Sequence, residues 1–328
     1  MPMVPLSVLD LVTVREGDSV ARSLDITVDT AKAAEANGFK RYWVAEHHGM
    51  AGIAGGATSV VLAHIGNATS TIRIGAGGIM LPNHTPYVIA EQFGTLSAMF
   101  PGRVDLGLGR AAGADGRLAN ALRKDIVSAS ERFPQDVVEL RARFAGQAVG
   151  GVESPQASGA DAEMWILGSS LFGAQLAAML GLPYAFASHF APTHLDEAAR
   201  IYRERFEPSE FCDKPYFMAA INTMAAETEE EAWYLSSSTD QSFVALRTGS
   251  PGKLQPPLRN YRESLPAPAR AMLEQMRGVA AVGTPDQVRA GLEAFVARTQ
   301  ADELILSAST FDPAAQIRSL ELIAGALD

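Results

Sequence analysis

One apolar run ends in three side chains that can bind or transfer protons. Residues 41–48 read Arg-Tyr-Trp-Val-Ala-Glu-His-His, so Glu46, His47 and His48 directly follow a short hydrophobic stretch. A carboxylate beside two imidazoles could ligate a metal ion, relay protons or form a plain polar corner. Because alternate residues of a strand face the same side, we expect Glu46 and His48 to point together and His47 to point the opposite way.

A metal centre would need more imidazoles or carboxylates converging on this point than the sequence shows. No His-x-His pair occurs. His64 falls within a predicted helix, and His84 within a loop where it could be merely exposed. The other histidines are His189 and His194. We therefore predict no metal ion and favour a proton-handling or cofactor-facing role, with a structural corner as the alternative.

Two other segments contain groups that could bind a phosphate. Arg110 follows the Gly-Leu-Gly of 107–109, and Gly168, Ser169 and Ser170 separate a predicted strand from a predicted helix. The amides at a helix start bind anions, and a guanidinium suits a phosphate. Ordinary capping by serine and a structural salt bridge of Arg110 are the alternatives. Since the two segments would belong to neighbouring strands, a shared phosphate site is favoured.

The elements that must position these groups alternate regularly between strands and helices. Eight strands are predicted, at 4–12, 41–47, 72–81, 103–109, 163–170, 183–190, 215–226 and 301–309. They are continuously apolar, as in a parallel sheet covered on both faces, and nearly all are followed by a helical pattern. This predicts an α/β protein with a (β/α)8 TIM barrel in a single domain, 1–328, with a doubly wound sheet as the alternative. Residues 248–282, which show no strand signal, are predicted to form an excursion near the barrel mouth before the last strand.

In such a barrel, functional groups lie where the strands end. Besides the residues above, Asp10 and the pairs Gly77-Gly78 and Ser188-His189 also fall at predicted strand ends. Glycine at a strand end permits a close approach to the backbone by a flat molecule, although a β-bulge would also explain it. The concentration of unusual residues at strand ends favours a functional site there.

Composition excludes several classes of protein. The 328 residues are 47% hydrophobic and 20% charged, with a net charge of −10 and no Lys/Arg cluster, so nucleic acid is not an expected partner. The single cysteine, Cys212, cannot form an internal disulfide, which fits a reducing compartment. No signal peptide and no apolar run of roughly 20 residues are visible. We therefore expect a cytoplasmic protein without a membrane partner.

Together these segments resemble the bacterial luciferase-like flavin monooxygenases, in the branch of single-chain luciferase-like enzymes. The resemblance covers nearly the whole chain and is carried, in this order, by "AEHH", "GAGGIMLPNHTP", "AEQFGTLSAMFPGRVDLGLGR", "GSSLFGAQLAAMLGLP", "SHFAP" and "VGTPDQV". It implies a TIM barrel that binds FMN at the C-terminal mouth. It also implies a non-proline cis peptide, which we assign to Gly77-Gly78.

The resemblance also assigns roles to residues. It makes His47 the active-site imidazole at the flavin edge, with Glu46 and His48 in support. The flavin phosphate would lie near Arg110 and the amides of Ser169 and Ser170. The full set of predicted cofactor-binding residues is Asp10, Gly77, Gly78, Arg110, Gly168, Ser169, Ser170 and Ser188.

The implied reaction is the oxidation of a small organic substrate by reduced FMN and O2 through a C4a-hydroperoxyflavin. A separate NAD(P)H:flavin reductase would supply the reduced flavin, and a homodimer is expected. The reactive thiol of the luciferases has no counterpart near 107–109, which argues against light emission. The alternatives are an F420-dependent dehydrogenase on the same barrel, a non-catalytic FMN-binding protein and a metal-dependent barrel hydrolase.

Overall fold

In the computed structural model, which describes residues 3–111, 116–122 and 125–327, nine parallel strands form one sheet, and all of them except the eighth close into an eight-stranded barrel. The strands are β1 (Leu6–Asp10), β2 (Arg41–Val44), β3 (Arg73–Met80), β4 (Val104–Gly109), β5 (Glu163–Gly168), β6 (Tyr184–Phe186), β7 (Phe217–Ala225), β8 (Ala280–Gly283) and β9 (Glu303–Ser307). Strands β1 to β7 pair in sequence order, and β9 closes the ring between β7 and β1. The predicted (β/α)8 barrel and its eight strands are confirmed.

Helices cover the outside of the barrel and connect its strands. They are α1 (Val20–Ala36), α2 (Thr58–Ala68), α3 (Pro86–Met99), α4 (Gly116–Leu122), α5 (Ile126–Glu131), α6 (Phe133–Phe144), α7 (Leu171–Leu180), α8 (Leu195–Glu204), α9 (Glu229–Arg247), α10 (Tyr261–Ser264), α11 (Ala267–Arg277), α12 (Pro285–Thr299) and α13 (Pro313–Gly325). Side chains near the N-terminus of several helices cap the first helical turn. Thr284 and Gln287 form a capping box at α12, for example. Within the described residues, no helix is long and apolar enough to cross a membrane.

The strand β8 was not predicted, because 248–282 showed no strand signal. The segment contains α10 and α11, and its last residues begin β8, which pairs with Asn222–Ala225 at the end of β7. The sequence of β8, Ala-Ala-Val-Gly, has little intrinsic strand preference, so its conformation follows from this pairing.

Charged residues close the N-terminal end of the barrel. Arg41 lies 2.9 Å from a carboxylate oxygen of Asp105 and 3.1 Å from one of Glu303, and all three side chains are buried. Above them, Trp43 and Trp165 pack edge to face with ring centroids 5.2 Å apart. The lower barrel is therefore filled, and a ligand must bind at the opposite, C-terminal mouth.

Helix α9 lies on the C-terminal side of the barrel. Thr239 of α9 donates a hydrogen bond, at 2.6 Å, to the carbonyl of Ser309, two residues beyond β9. The chain after α9 continues over the same side, because Leu254 exchanges backbone hydrogen bonds with Val14 and Glu16 beyond β1. These residues border the mouth that the strand ends form.

Candidate active site at the barrel mouth

Glu46 binds two imidazoles at the end of β2. Its Oε1 lies 2.6 Å from Nε2 of His48 and 2.7 Å from Nε2 of His84, and its Oε2 accepts the amide of Met80 at 3.1 Å. The residue is only 1% exposed. Glu46 and His48 point together, as predicted, although both lie beyond the last residue of β2, Val44, so strand alternation is not the cause. His84 was missed as a site residue because nothing in its local sequence shows that the loop after β3 meets the loop after β2.

The charge of this network follows from its hydrogen bonds. Burial acts to raise the pKa of Glu46, but the hydrogen bonds from His84, His48 and the Met80 amide outweigh burial and lower it. Glu46 is therefore an ionised carboxylate. Since Nε2 of both imidazoles lies within hydrogen-bonding distance of the same anionic oxygen, each ring donates to Glu46 when its proton is on Nε2.

These three residues are also a possible donor set for a divalent ion. One ligand atom from each of Glu46, His48 and His84 lies within 4.8 Å of the others. The separations of 2.6 and 2.7 Å between the carboxylate oxygen and the two nitrogens are those of charge-assisted hydrogen bonds. The geometry thus favours a hydrogen-bonded network, and the absence of a metal stays a prediction.

His47 does not join the Glu46 network. Its Nδ1 is buried and has no hydrogen-bond partner among the described residues, whereas the residue as a whole is half-buried. Burial lowers the pKa of His47, with Glu46 opposing this effect and His48 adding to it. A neutral imidazole with an unpaired buried nitrogen can accept or donate a hydrogen bond to a bound molecule.

The end of β6 contributes a second such imidazole. His189 has a buried Nδ1 with no partner in the described part of the chain. Sequence reasoning selected its neighbour Ser188, whose buried hydroxyl donates to the carbonyl of Ala220. The role of Ser188 in cofactor binding stays a prediction. The sequence placed His189 at this strand end beside Ser188 but assigned it no role.

The peptide bond between Gly77 and Gly78 is cis, as predicted. The pairing of β3 with β4 also shifts register between Ala76 and Ile79, so the strand is irregular at this pair, as the alternative of a β-bulge implied. A Cβ atom on Gly78 would lie 2.7 Å from the carbonyl oxygen of Gly107. The amide of Glu46 donates to the carbonyl of Gly78 at 3.4 Å, which joins this pair to the network.

The groups that were predicted to bind a phosphate lie at the ends of two neighbouring strands, β4 and β5. These strands are paired, with Gly109 opposite Leu167. The guanidinium carbon of Arg110 lies 4.2 Å from the ring centroid of Phe172, in the first turn of α7. Arg110 is exposed and forms no salt bridge with the described residues, which argues against the structural alternative.

The start of α7 remains open to an anion. Ser170 is the N-cap residue, but its side chain accepts no hydrogen bond from the helix amides. Ser169 and Gly168 precede it and are half-buried. Simple capping by serine is therefore not what the structure shows. The helix start with its dipole and the guanidinium of Arg110 fit a phosphate group.

Asp10 lies at the end of β1, but its oxygens are already used within the protein. Oδ2 accepts hydrogen bonds from Thr27 at 2.6 Å and Tyr42 at 2.7 Å, and Oδ1 accepts the amide of Val12 at 2.8 Å. The residue is 5% exposed. Asp10 therefore fixes the loop after β1, and a direct contact with a cofactor stays a prediction.

The fold and the site define a TIM-barrel enzyme with its reactive groups at the C-terminal mouth. The chain belongs to the luciferase-like monooxygenase family, whose family model matches residues 4–303. It is an oxidoreductase of the monooxygenase type. This confirms the family to which the sequence motifs pointed.

Two relatives illustrate this membership. A luciferase-like monooxygenase of Escherichia coli K12 is 44% identical over 97% of this chain and 96% of its own length. The N-acetyl-S-alkylcysteine monooxygenase of Bacillus subtilis is 34% identical over 75% of each chain.

Solved structures agree with the fold. Apo-MsnO8 superposes with a TM-score of 0.90 at 33% identity and 98% coverage of each chain. The oxygenating constituent of 3,6-diketocamphane monooxygenase from Pseudomonas putida, solved with FMN, gives 0.74 at 19% identity, covering 99% of this chain and 97% of that one. An F420-dependent secondary alcohol dehydrogenase gives 0.73 at 16% identity with full coverage of both chains.

Proposed function

We propose that this protein is a flavin-dependent monooxygenase that uses reduced FMN and O2 to oxidise a small organic substrate. The observation that carries the proposal is the uncapped start of α7 beside Arg110. This pair of features suits a terminal phosphate, which FMN has and riboflavin lacks. Oxygen transfer through a C4a-hydroperoxide stays a prediction.

Each group at the mouth has a defined task in this proposal. Arg110 and the α7 amides would hold the phosphate, and the ring system would extend toward Gly77-Gly78 and His47. When bound, reduced FMN would supply the electrons for oxygen activation. His47 would hold or move the proton at Nδ1, which has no hydrogen-bond partner among the residues that the structure describes. Ionised Glu46 would orient the rings of His48 and His84.

FMN is preferred to F420 on two grounds. The E. coli and B. subtilis relatives are both named monooxygenases, whereas the F420-dependent enzyme is related by fold at 16% identity. The unpaired imidazole of His47 also suits proton transfer to an activated oxygen species. An F420-dependent dehydrogenase remains the second candidate because the two solved structures superpose almost equally well, at 0.74 and 0.73.

The relative named for N-acetyl-S-alkylcysteine suggests where to begin the search for a substrate. Thioethers of acylated amino acids form the first test panel, followed by ketones, aldehydes and sulfonates. A separate NAD(P)H:flavin reductase and a homodimer belong to the same proposal.

The deciding experiment compares cofactors directly. Purified protein is titrated with FMN, riboflavin and F420, and O2 uptake is followed with chemically reduced FMN and the panel. We expect FMN to bind more tightly than riboflavin, and O2 uptake to yield an oxygenated product. Tight binding of F420 with hydride transfer and no O2 uptake would establish the dehydrogenase instead. FMN binding without any turnover would indicate a non-catalytic flavoprotein.

A further inference from the structure

His47 and His189 occupy equivalent positions on opposite sides of the barrel. His47 lies three residues beyond the end of β2, and His189 lies three residues beyond the end of β6. In the closed ring, β2 and β6 are separated by four steps in either direction. The two imidazoles therefore approach the barrel mouth from opposite walls.

Both rings carry an unsatisfied polar atom. Nδ1 of His47 and Nδ1 of His189 are each buried without a hydrogen-bond partner among the described residues. Leaving a buried donor or acceptor unpaired costs about 1–3 kcal/mol, so two such atoms on opposite walls of one mouth are unlike ordinary core packing. A bound molecule between the rings would satisfy both.

The segment that carries His189 is held by two side chains from other elements. Asn222 of β7 donates through Nδ2 to the carbonyl of His189 at 2.8 Å. Arg247, at the end of α9, donates through Nη2 to the carbonyl of Phe190 at 2.9 Å and stacks on the Phe190 ring. Hydrogen bonds to two consecutive carbonyls hold the backbone that follows the His189 ring in place, and a binding residue requires such a fixed backbone.

The protonation state of His189 suits the same role. Burial, and then the charge of His47, lower the pKa of His189 to about 4. His189 is therefore neutral at ordinary assay pH, and its ring can form one donated and one accepted hydrogen bond.

We infer that His189 is a further binding residue of this enzyme, which contacts the flavin ring system through Nδ1 from the β6 wall while His47 faces it from the β2 wall. The inference rests on the proposed function. The His189 contact differs from the Arg110 contact in the part of the flavin that is bound. His189 would bind the ring system common to FMN and riboflavin, whereas Arg110 would bind the phosphate.

The test uses matched variants and two probes. His189→Asn keeps an amide near the position of Nδ1, His189→Gln places it near Nε2, and His189→Leu removes the polar group. Dissociation constants for FMN and riboflavin are measured by flavin fluorescence, and thermal unfolding confirms the fold. His194, which is exposed five residues further on, supplies the control variants His194→Asn and His194→Leu.

We expect His189→Leu and His189→Gln to weaken the binding of both flavins by about tenfold or more, and by similar factors. His189→Asn should stay within about threefold of the wild type, and the His194 variants should not change. If His189→Leu fails to fold, the comparison of His189→Asn with His189→Gln is the test. Wild-type affinity for riboflavin in His189→Gln would overturn this inference alone. A wild-type protein that binds neither flavin would overturn the proposed function together with it.

Discussion

Nε2 of His84 lies 2.7 Å from Oε1 of Glu46, although the two residues are 38 positions apart in the sequence. This hydrogen bond connects the loop after β3 to the loop after β2. It also completes the set of donors that keeps Glu46 ionised in a nearly closed environment. The orientation of the mouth residues therefore depends on a contact between two loops.

Removal of this contact should reduce stability in a pH-dependent way. His84→Phe leaves Glu46 with fewer donors, and we expect the free energy of unfolding at pH 7 to fall by about 1–2 kcal/mol. The pKa of Glu46 is lower in the folded protein than its ordinary value of 4.5, so the stabilisation is present above that value and is lost as the pH falls through the folded pKa. Urea unfolding of wild type and variant at pH 7 and at about pH 3.5 should show the difference shrinking.

The control for this prediction is His64→Phe. His64 lies on the exposed face of α2, so the same substitution there should leave stability nearly unchanged at both pH values. A loss in His84→Phe that is equally large at the acid pH would contradict the role of Glu46 ionisation.

Arg110 should discriminate between two flavins that differ only in the phosphate. We expect Arg110→Gln to weaken FMN binding by about tenfold or more and to leave riboflavin binding unchanged, because the guanidinium would contact the phosphate alone. Arg141→Gln is the matched control, since Arg141 also stacks on a phenylalanine, Phe211, with its guanidinium carbon 4.6 Å from the ring centroid. If Arg110→Gln weakens the binding of FMN and of riboflavin equally, the phosphate does not bind at Arg110.

His47 should determine whether activated oxygen reaches the substrate. With a substrate from the panel, we expect His47→Ala to reduce oxygenation by about 100-fold or more while O2 uptake continues with release of H2O2. Because burial lowers the pKa of His47, the acid limb of kcat/KM in the wild type should lie below 6.5. Oxygen and peroxide electrodes measure both quantities, and His194→Ala is the control. If the amount of oxygenated product per O2 consumed is the same in His47→Ala as in the wild type, proton transfer by this ring is refuted.

Two glycines of β4 should respond very differently to alanine. A Cβ atom on Gly107 would overlap the carbonyl oxygen of Ala76, whereas one on Gly109 would lie 3.6 Å from the carbonyl oxygen of Ile79, an ordinary contact. We expect Gly107→Ala to lower the free energy of unfolding by about 2–4 kcal/mol, and Gly109→Ala to change it by less than about 1 kcal/mol. Denaturation by urea tests this, and similar values for the two variants would exclude close strand packing as the reason for Gly107.

The sequence by itself determined the barrel and the position of its reactive groups along the chain. Apolar runs of strand length, each followed by apolar residues at helical spacing, indicate the order of strands and helices along the chain, because side-chain spacing follows local backbone geometry. The same order placed Arg110 and Ser170 at the ends of adjacent strands, and the family motifs identified the cis bond between Gly77 and Gly78.

Only the tertiary structure decided which of these groups meet. Ring closure brings His189 opposite His47, and the pairing of β2 with β3 brings the loop of His84 onto Glu46, whereas no local period encodes contacts between loops that are distant along the chain. The fold also gives both oxygens of Asp10 donors within the protein, which the sequence did not show, and the contact of Asp10 with a cofactor stays a prediction. Strand and helix follow from neighbours along the chain, whereas the partner of a polar side chain at the mouth follows from the folded barrel as a whole.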